Sequence, residues 1–297
     1  MVSHSYDCLV IQRPGLARVK ELQSAGRVLA RILQGCTLTL EQAVSMASST
    51  VDSYEPLNTL KPFGDEIWIV DGPIIGFDYL GFKIPLPTRM TVVRLGDGGL
   101  WIHSPTELTQ PLKDEIDALG PIRNLIAPNK IHYWWLGQWK RAYPDATVHL
   151  APGILKRAGG RQVPFDRALI ESPDPAWNQQ IDQILVHGNY LTEAVFFHRR
   201  SRTLILADLI ENLESDRIHS AFFRAFNRVE GVIHPDGKAP IDLRLTFIGR
   251  HRHVGEAVRT MLSWAPEHVI LAHGRCYSEN AIAELRRAFR WVRNLER

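Results

Sequence analysis

The stretch Leu125-Ile126-Ala127-Pro128-Asn129-Lys130-Ile131-His132 joins an apolar run to a polar loop. Its first three residues favour a short buried strand, and Pro128 ends that strand. The aromatic segment 133–143 follows and predicts a helix. We therefore expect His132 at the N-terminus of a helix, directly after a strand and its loop.

The rest of the chain also contains predicted strands and predicted helices. Further strands are predicted at 67–70, 90–95, 100–103, 147–150, 184–186, 194–197, 203–206 and 268–271. Asp71-Gly72-Pro73 is expected to end the first of them, and Thr109 to cap a helix that stops at Gly120. The segment 211–264 is predicted to be mostly helical, and a C-terminal helix to begin after Ser278. Two such halves predict an α/β (α+β) protein, built as a four-layer αββα sandwich.

The first 60 residues differ from the remainder. Apolar residues recur there at a helical period, and Pro56 and Pro62 then interrupt the chain. We expect residues 1–60 to form an N-terminal helical extension and residues 61–297 to form the main domain. The extension is expected either to pack on that domain or to make an oligomer contact, such as that of a homodimer.

Composition excludes several classes of protein. Of the 297 residues, 45% are apolar and 23% are charged, as in globular proteins, so a disordered or fibrous chain is excluded. A formal net charge of +3 is too small to indicate a nucleic-acid partner or an anionic membrane. Cys8, Cys36 and Cys276 form no disulfide framework, and no apolar run is long enough to span a membrane. We expect a cytoplasmic protein whose partner is a small molecule.

The stretch 125–146 resembles the metallo-β-lactamase fold superfamily. That superfamily carries the metal motif His-x-His-x-Asp-His at the mouth of a helix. In the matching register, His132 takes the place of the last histidine. Ala127, Asn129 and Ile131 stand at the first histidine, the second histidine and the aspartate.

Later segments extend the resemblance over about residues 66–297. Asp208, in Leu206-Ala207-Asp208-Leu209, stands where the superfamily carries a metal-bridging aspartate, and His273 stands at its final ligand. Asn189 stands at another ligand histidine, and His103 at an early aspartate. The segments 85–91 and 127–130 resemble an uncharacterised branch, the domain of unknown function 4336.

Three candidate ligands remain, His132, Asp208 and His273, and each follows a predicted strand. Loops at strand ends gather at one edge of a sandwich, so these side chains can converge. Two imidazoles and a carboxylate suit one zinc or non-haem iron ion with open positions. Asn129 and Asn189 replace ligands of the other metal position, and amide oxygens are poor zinc ligands. The resemblance therefore implies at most one metal ion, and a polar remnant without metal is the alternative.

The resemblance implies a hydrolase that acts on a small ester, lactone, amide or thioester. In this interpretation Asp208 holds the attacking water, and Lys130 or His103 stabilises an oxyanion. Asn129, Asn189 and Trp134 are candidate pocket residues. Two other functions remain open. One is a metal-free, non-catalytic protein that binds a small molecule or a protein, and the other is a mononuclear iron oxidoreductase that uses the same three ligands.

Overall fold

Two β-sheets pack against each other in this computed structural model, which describes residues 50–79, 82–159 and 162–292. The larger sheet has seven strands, and their order in the sheet follows the chain. They are β1 (Lys61–Gly64), β2 (Ile67–Tyr79), β3 (Phe82–Arg94), β4 (Leu100–His103), β5 (Ile122–Ala127), β6 (Thr147–Leu150) and β7 (Arg167–Ala168). The first four strands pair antiparallel, and β4 to β7 pair in parallel.

The smaller sheet has four strands in the order β11-β10-β9-β8. They are β8 (Ile181–His187), β9 (Thr192–His198), β10 (Thr203–Leu206) and β11 (His268–Leu271). β8, β9 and β10 pair antiparallel, whereas β10 and β11 pair in parallel. The carboxyl ends of β10 and β11 therefore lie at the same edge of this sheet.

Alternate residues of β9 face two different cores, as the two-residue period of a strand requires. Ala194 and Phe196 join the core shared with the larger sheet, which contains the fully buried Trp101. Val195 and Phe197 join a second core on the outer face of the smaller sheet. Both faces of the smaller sheet are therefore covered.

Seven α-helices lie in the described part of the chain. They are α1 (Gln110–Leu119), α2 (Leu136–Ala142), α3 (Ile154–Ala158), α4 (Ala221–Glu230), α5 (Ile241–Thr246), α6 (His251–Ser263) and α7 (Ala281–Ala288). Leu112 of α1 and Trp139 of α2 pack in the core of the larger sheet. Val258 of α6 and Leu285 of α7 pack on the outer face of the smaller sheet. The predicted αββα sandwich is confirmed.

The ends of α1 follow the signals in its sequence. Thr109 caps the helix by accepting a hydrogen bond at its side chain from the Leu112 amide. A proline occupies the first turn, where a missing N–H costs nothing. Gly120, with φ of 151°, ends the helix as predicted.

Three predicted boundaries are wrong, and one of them is the start of the strand predicted at 90–95, which begins at Phe82. β2 does not end at Asp71-Gly72-Pro73 but continues to Tyr79, and the register against β3 shifts between Gly72 and Ile75. Pro73 has no N–H to donate to a ladder, so the strand passes it through an irregularity. The helix predicted over 133–143 begins only at Leu136, because Asn129 Oδ1 accepts the Ile131 amide and shapes the loop before the helix into turns.

The predicted helical extension falls largely on residues 1–49, which lie outside the described residues. Residues 50–60 are irregular, and Val51 makes an isolated bridge to Ile218 in the main domain. The proposed boundary at residue 60 stays a prediction. No described helix combines the length and apolar character that crossing a bilayer requires.

Candidate metal centre

Three strand ends bring His132, Asp208 and His273 together. His132 lies in the loop after β5, Asp208 follows β10, and His273 follows β11. Since β10 and β11 run in parallel, Asp208 and His273 leave the smaller sheet side by side. The larger sheet supplies His132 from the opposite layer. The sequence predicted this convergence from the position of each residue after a strand.

The donor atoms of the cluster form a small triangle. His132 Nε2 lies 3.2 Å from His273 Nε2 and 3.3 Å from Asp208 Oδ1. His273 Nε2 lies 3.3 Å from Asp208 Oδ1. The three side chains expose only 9%, 5% and 3% of their surface, in the order His132, Asp208, His273. A cation held here would have little contact with bulk solvent.

This triangle has the dimensions of one face of a tetrahedral metal site. Zinc holds nitrogen and oxygen ligands at about 2.0–2.2 Å, which places neighbouring ligands of a tetrahedron about 3.3–3.6 Å apart. The observed edges of 3.2–3.3 Å match the lower end of that range. Two imidazole nitrogens and a carboxylate also suit ferrous iron. The residues therefore fit one Zn or Fe ion.

Hydrogen bonds behind the rings orient both histidines. His273 Nδ1 donates to the Pro87 carbonyl oxygen at 2.6 Å, so in the neutral ring the lone pair lies on Nε2, toward the cluster. His132 Nδ1 lies 2.7 Å from Ser104 Oγ, which likewise leaves Nε2 directed at the cluster. Supporting contacts of this kind are typical of metal-binding histidines.

Asn129 and Glu193 hold the other side of Asp208. Asn129 Nδ2 donates to Asp208 Oδ2 at 2.5 Å and to Glu193 Oε2 at 3.1 Å. Glu193 also accepts the backbone amides of Ala207 and Asp208, each at 2.8 Å. The Asn129 amide N–H donates a hydrogen bond and cannot coordinate a metal ion. The Oδ2 side of Asp208 is therefore occupied by a hydrogen bond. The arrangement supports a single metal position.

Burial and neighbouring charges shift the pKa values of several side chains in and next to the cluster. Burial alone raises the pKa of Asp208, but the neighbouring imidazoles outweigh it and lower that pKa overall. Burial lowers the pKa of His273, but its hydrogen bond and attraction to Asp208 raise that pKa to about 9. Burial, together with Asp208, raises the pKa of Glu193 to about 8. The Asp208 carboxylate thus stays ionised although it is buried, and a cation held here would replace the proton on His273.

Glu211 is a further buried acid near the cluster. Burial raises its pKa to about 8, although the attraction of His273 opposes that change. Glu193, Glu211 and Ser104 are site residues that the sequence prediction missed. The sequence offers one signal for Glu193, which is a single acidic residue next to the strongly apolar run 194–197.

His103 lies at the end of β4, inside the core. Its ring stacks on Trp101 with centroids 5.7 Å apart, and the residue is 1% exposed. Burial, assisted by the charge of His132, lowers its pKa to about 3. A neutral ring packed in the core does not provide the positive charge that the predicted oxyanion role would use.

Lys130 and Trp134 lie in the loop that carries His132. Lys130 Nζ lies 3.2 Å from the centre of the Tyr190 ring. Trp134 is 53% exposed, whereas Trp139 is buried and donates its indole N–H to the Thr106 carbonyl at 2.7 Å. Trp134 is thus the tryptophan of this segment that remains available to a ligand, and its pocket role stays a prediction.

Asn189 is not placed at the cluster. Its side chain is exposed, donates to the Ile248 carbonyl at 3.0 Å and accepts from Arg250 Nε at 2.6 Å. Within this turn the Gly188 amide donates to the Leu191 carbonyl, and Asn189 turns toward the α5–α6 connection. The α5–α6 connection holds both polar atoms of the Asn189 side chain, and the predicted contribution of Asn189 to the pocket stays a prediction.

Comparison with known families identifies the domain. The family model described as a domain of unknown function (DUF4336) matches residues 64–222, more than half of the chain. The chain belongs to this family. No curated protein matches this DUF4336 protein in sequence.

Solved structures confirm the fold of the DUF4336 protein. The metallo-β-lactamase from Pontibacter korlensis is 14% identical, with a TM-score of 0.52, over 80% of this chain and 99% of that one. The DIM-1 metallo-β-lactamase exposed to ceftazidime is 13% identical, with a TM-score of 0.51, over 77% and 94%. The metal-soaked Flv1 flavodiiron core from Synechocystis sp. PCC6803 is 11% identical, with a TM-score of 0.52, over 78% and 60%. At these identities the likeness shows the metallo-β-lactamase fold alone.

Proposed function

We propose that this DUF4336 protein is a hydrolase that holds one Zn or Fe ion between His132, Asp208 and His273. The observation that carries the proposal is the triangle of donor atoms, with edges of 3.2–3.3 Å. The contact of His132 Nδ1 with Ser104 Oγ and the hydrogen bond from His273 Nδ1 to the Pro87 carbonyl support the same assignment, because they leave both Nε2 atoms facing the triangle.

A bound metal ion supplies an acidified water as nucleophile and polarises a carbonyl oxygen. Residues of the chain hold the three ligand side chains in position. Ser104 and the Pro87 carbonyl fix the two rings, and Asn129 fixes Asp208 through Oδ2. Asp208 Oδ1 stays free of that amide, so it is the oxygen that would hold the metal ion.

We propose a small ester, lactone, amide or thioester as the substrate. The fold of the two similar lactamases supports acyl hydrolysis as the reaction class, by analogy. Trp134, which is 53% exposed near the helix mouth, offers an apolar surface to the body of such a substrate.

Metal analysis of tag-free protein tests the site. We expect about one equivalent of Zn or Fe in the wild type and loss of that metal in His132→Ala. His219→Ala is the matched control, because His219 is exposed and pairs with Asp52 on the surface; it should retain the metal. If the wild type binds neither Zn nor Fe(II) after incubation, the proposed metal site is wrong, and the metal-free binding protein becomes the better interpretation.

A hydrolysis screen tests the reaction. Loaded wild-type protein should cleave at least one activated ester or thioester, and Asp208→Asn should lower kcat/KM by about 100-fold or more. Circular dichroism and the unfolding temperature of that variant separate lost chemistry from lost folding. A loaded protein with no hydrolase activity on any of these acyl classes would reject the reaction and keep the metal site.

A further inference from the structure

Two cationic side chains contact Tyr190, and one of them comes from the loop that carries His132. Lys130 Nζ lies 3.2 Å from the centre of the Tyr190 ring, and Arg157 Nη1 donates to the Tyr190 hydroxyl at 2.9 Å. Lys156 precedes Arg157 on α3 and is exposed with it. We call Lys130, Lys156, Arg157 and Tyr190 the Tyr190 patch.

The patch lacks a counter-charge within the described part of the chain. Most other cations there lie against a carboxylate, as Lys140 does at 3.1 Å from Asp166 and Arg167 at 2.9 Å from Asp174. No described acid forms such a pair with a cation of the patch. Like charges at close range repel, so an anion bound at the patch would stabilise it.

Backbone contacts fix the patch at the same edge as the ligands. The Ala151 amide donates to the Ala127 carbonyl at 3.0 Å, which holds the start of the β6–α3 connection against the end of β5. The Ala194 amide donates to the Pro128 carbonyl at 2.8 Å, which holds the start of β9 against the same loop. Lys130 directly follows Asn129, whose amide contacts Asp208. The patch and the metal centre therefore share one loop.

The chemistry of the patch suits a carboxylate or phosphate group. An arginine guanidinium offers a fork of N–H donors, and a lysine adds a mobile point charge. The ring of Tyr190 holds the Lys130 ammonium by a cation–π contact and keeps it from extending freely into solvent. Arg157 remains 2.9 Å from the same tyrosine, so the two cations are held together before any ligand arrives.

We propose that the Tyr190 patch binds an anionic group of the substrate, so that the substrate is a carboxylate-bearing acyl compound. The inference rests on the proposed hydrolase function for the reaction, but not for the binding of the anion. Lys130 is then a substrate-binding residue, rather than the group that stabilises the oxyanion.

A pair of esters with the same leaving group tests the specificity. The probes are the 4-nitrophenyl monoester of succinic acid and 4-nitrophenyl butyrate, which differ chiefly by one carboxylate. The wild type should prefer the anionic ester in kcat/KM by about tenfold, and Arg157→Gln should remove most of that preference through KM. Lys156→Gln should reduce it by less, because Lys156 makes no contact to Tyr190 like that of Arg157.

Arg286→Gln is the matched control, because it removes one exposed cation from α7, on the other sheet. It should leave the preference between the esters unchanged. Equal rates for the two esters, or an equal effect of Arg286→Gln and Arg157→Gln, would overturn the proposed patch and leave the hydrolase proposal standing.

Binding without turnover separates the two proposals. Succinate and inorganic phosphate should each bind the wild type in calorimetric titrations, and either should bind Arg157→Gln at least about fivefold more weakly. Tighter binding of phosphate than of succinate would overturn the assignment of a carboxylate. If succinate binding depends on Arg157 while no ester is hydrolysed, the anion site stands and the hydrolase proposal fails. If neither anion binds and the ester preference is also lacking, the patch has no such ligand.

Discussion

His149 is a buried side chain whose protonation state bears on stability. It is 1% exposed, and its Nε2 lies 3.1 Å from Asn124 Oδ1. Burial lowers its pKa to about 4, although the nearby Asp174 opposes that change. The folded-state pKa lies below the ordinary value of about 6.5, so the folded protein binds this proton less readily than the unfolded chain.

Acid should therefore destabilise the protein through His149. The contribution is fully present above about pH 6.5 and is lost as the pH falls toward 4. We expect the wild type to lose about 1–2 kcal/mol more unfolding free energy between pH 7 and pH 5 than His149→Gln, in urea denaturation. His219→Gln, at an exposed histidine, should lose as much as the wild type. Equal losses in wild type and His149→Gln would contradict the prediction.

Glu193 shows why single residues of the site escape prediction from sequence. Its hydrogen-bond partner Asn129 is 64 residues away in the chain. Asn129 lies in a loop of the larger sheet, whereas Glu193 lies on β9 of the smaller sheet. His132, Asp208 and His273 could be found because a known motif and a strand end marked each of them. Glu193 has no motif, and its role depends on a tertiary contact that a single sequence does not display.

At the scale of elements, two loops of the site are joined by backbone contacts. The Asn212 amide donates to the His273 carbonyl at 3.1 Å, and the Arg275 amide donates to the Asn212 carbonyl at 2.9 Å. Gly274, between them, has φ of 90°. A Cβ at Gly274 would collide with the Asn212 carbonyl group. Glycine is thus required by conformation and by close approach.

Gly274→Ala should disturb the loop of His273 and weaken the metal centre. We expect a loss of about 2–3 kcal/mol in unfolding free energy and at least tenfold weaker zinc binding in a chelator competition. Gly249→Ala is the matched control, since Gly249 has φ of 83° but no atom near the new Cβ. It should cost about 1 kcal/mol from backbone strain and leave zinc affinity unchanged. Equal zinc affinity in both variants would show that His273 does not depend on this contact.

Short strands were the elements that the sequence predicted best. The strands at 147–150, 203–206 and 268–271 are confirmed with the bounds expected. The strands at 203–206 and 268–271 each contain three consecutive apolar residues, so the local pattern suffices to predict them. The end of β2 was wrong because Asp71, Gly72 and Pro73 usually break a strand. Here pairing with β3 continues past them, which is a tertiary effect.

At the scale of the whole molecule, Arg89 joins the two sheets. It lies on β3, and its guanidinium donates to the carbonyls of Leu271 and Gly274 beyond the smaller sheet, at 2.7 and 2.6 Å. Asp71 pairs with Arg89 at 2.7 Å and with Lys61 at 2.8 Å. Arg89 and Asp71 are both buried, so each charge depends on the other.

Asp71→Ala should destabilise the protein strongly, because it leaves the Arg89 charge buried without its carboxylate. We expect a loss of about 3–5 kcal/mol in urea denaturation. Arg89→Met should also destabilise, but the double variant should lose about 1–3 kcal/mol less than the sum of the two single losses. Lys83→Met, which removes an exposed pair with Asp78, should change the stability by less than about 1 kcal/mol. Simple additivity of the two buried changes would contradict the coupling.

The hydrogen bond from Asn129 to Asp208 bears on how such a protein can evolve. The Asn129 side-chain amide donates a hydrogen bond to Asp208 Oδ2. It therefore occupies the side of the carboxylate on which a second cation would otherwise lie. An asparagine at this position holds the Asp208 carboxylate by a neutral hydrogen bond, so the position can change without leaving that buried carboxylate unpaired.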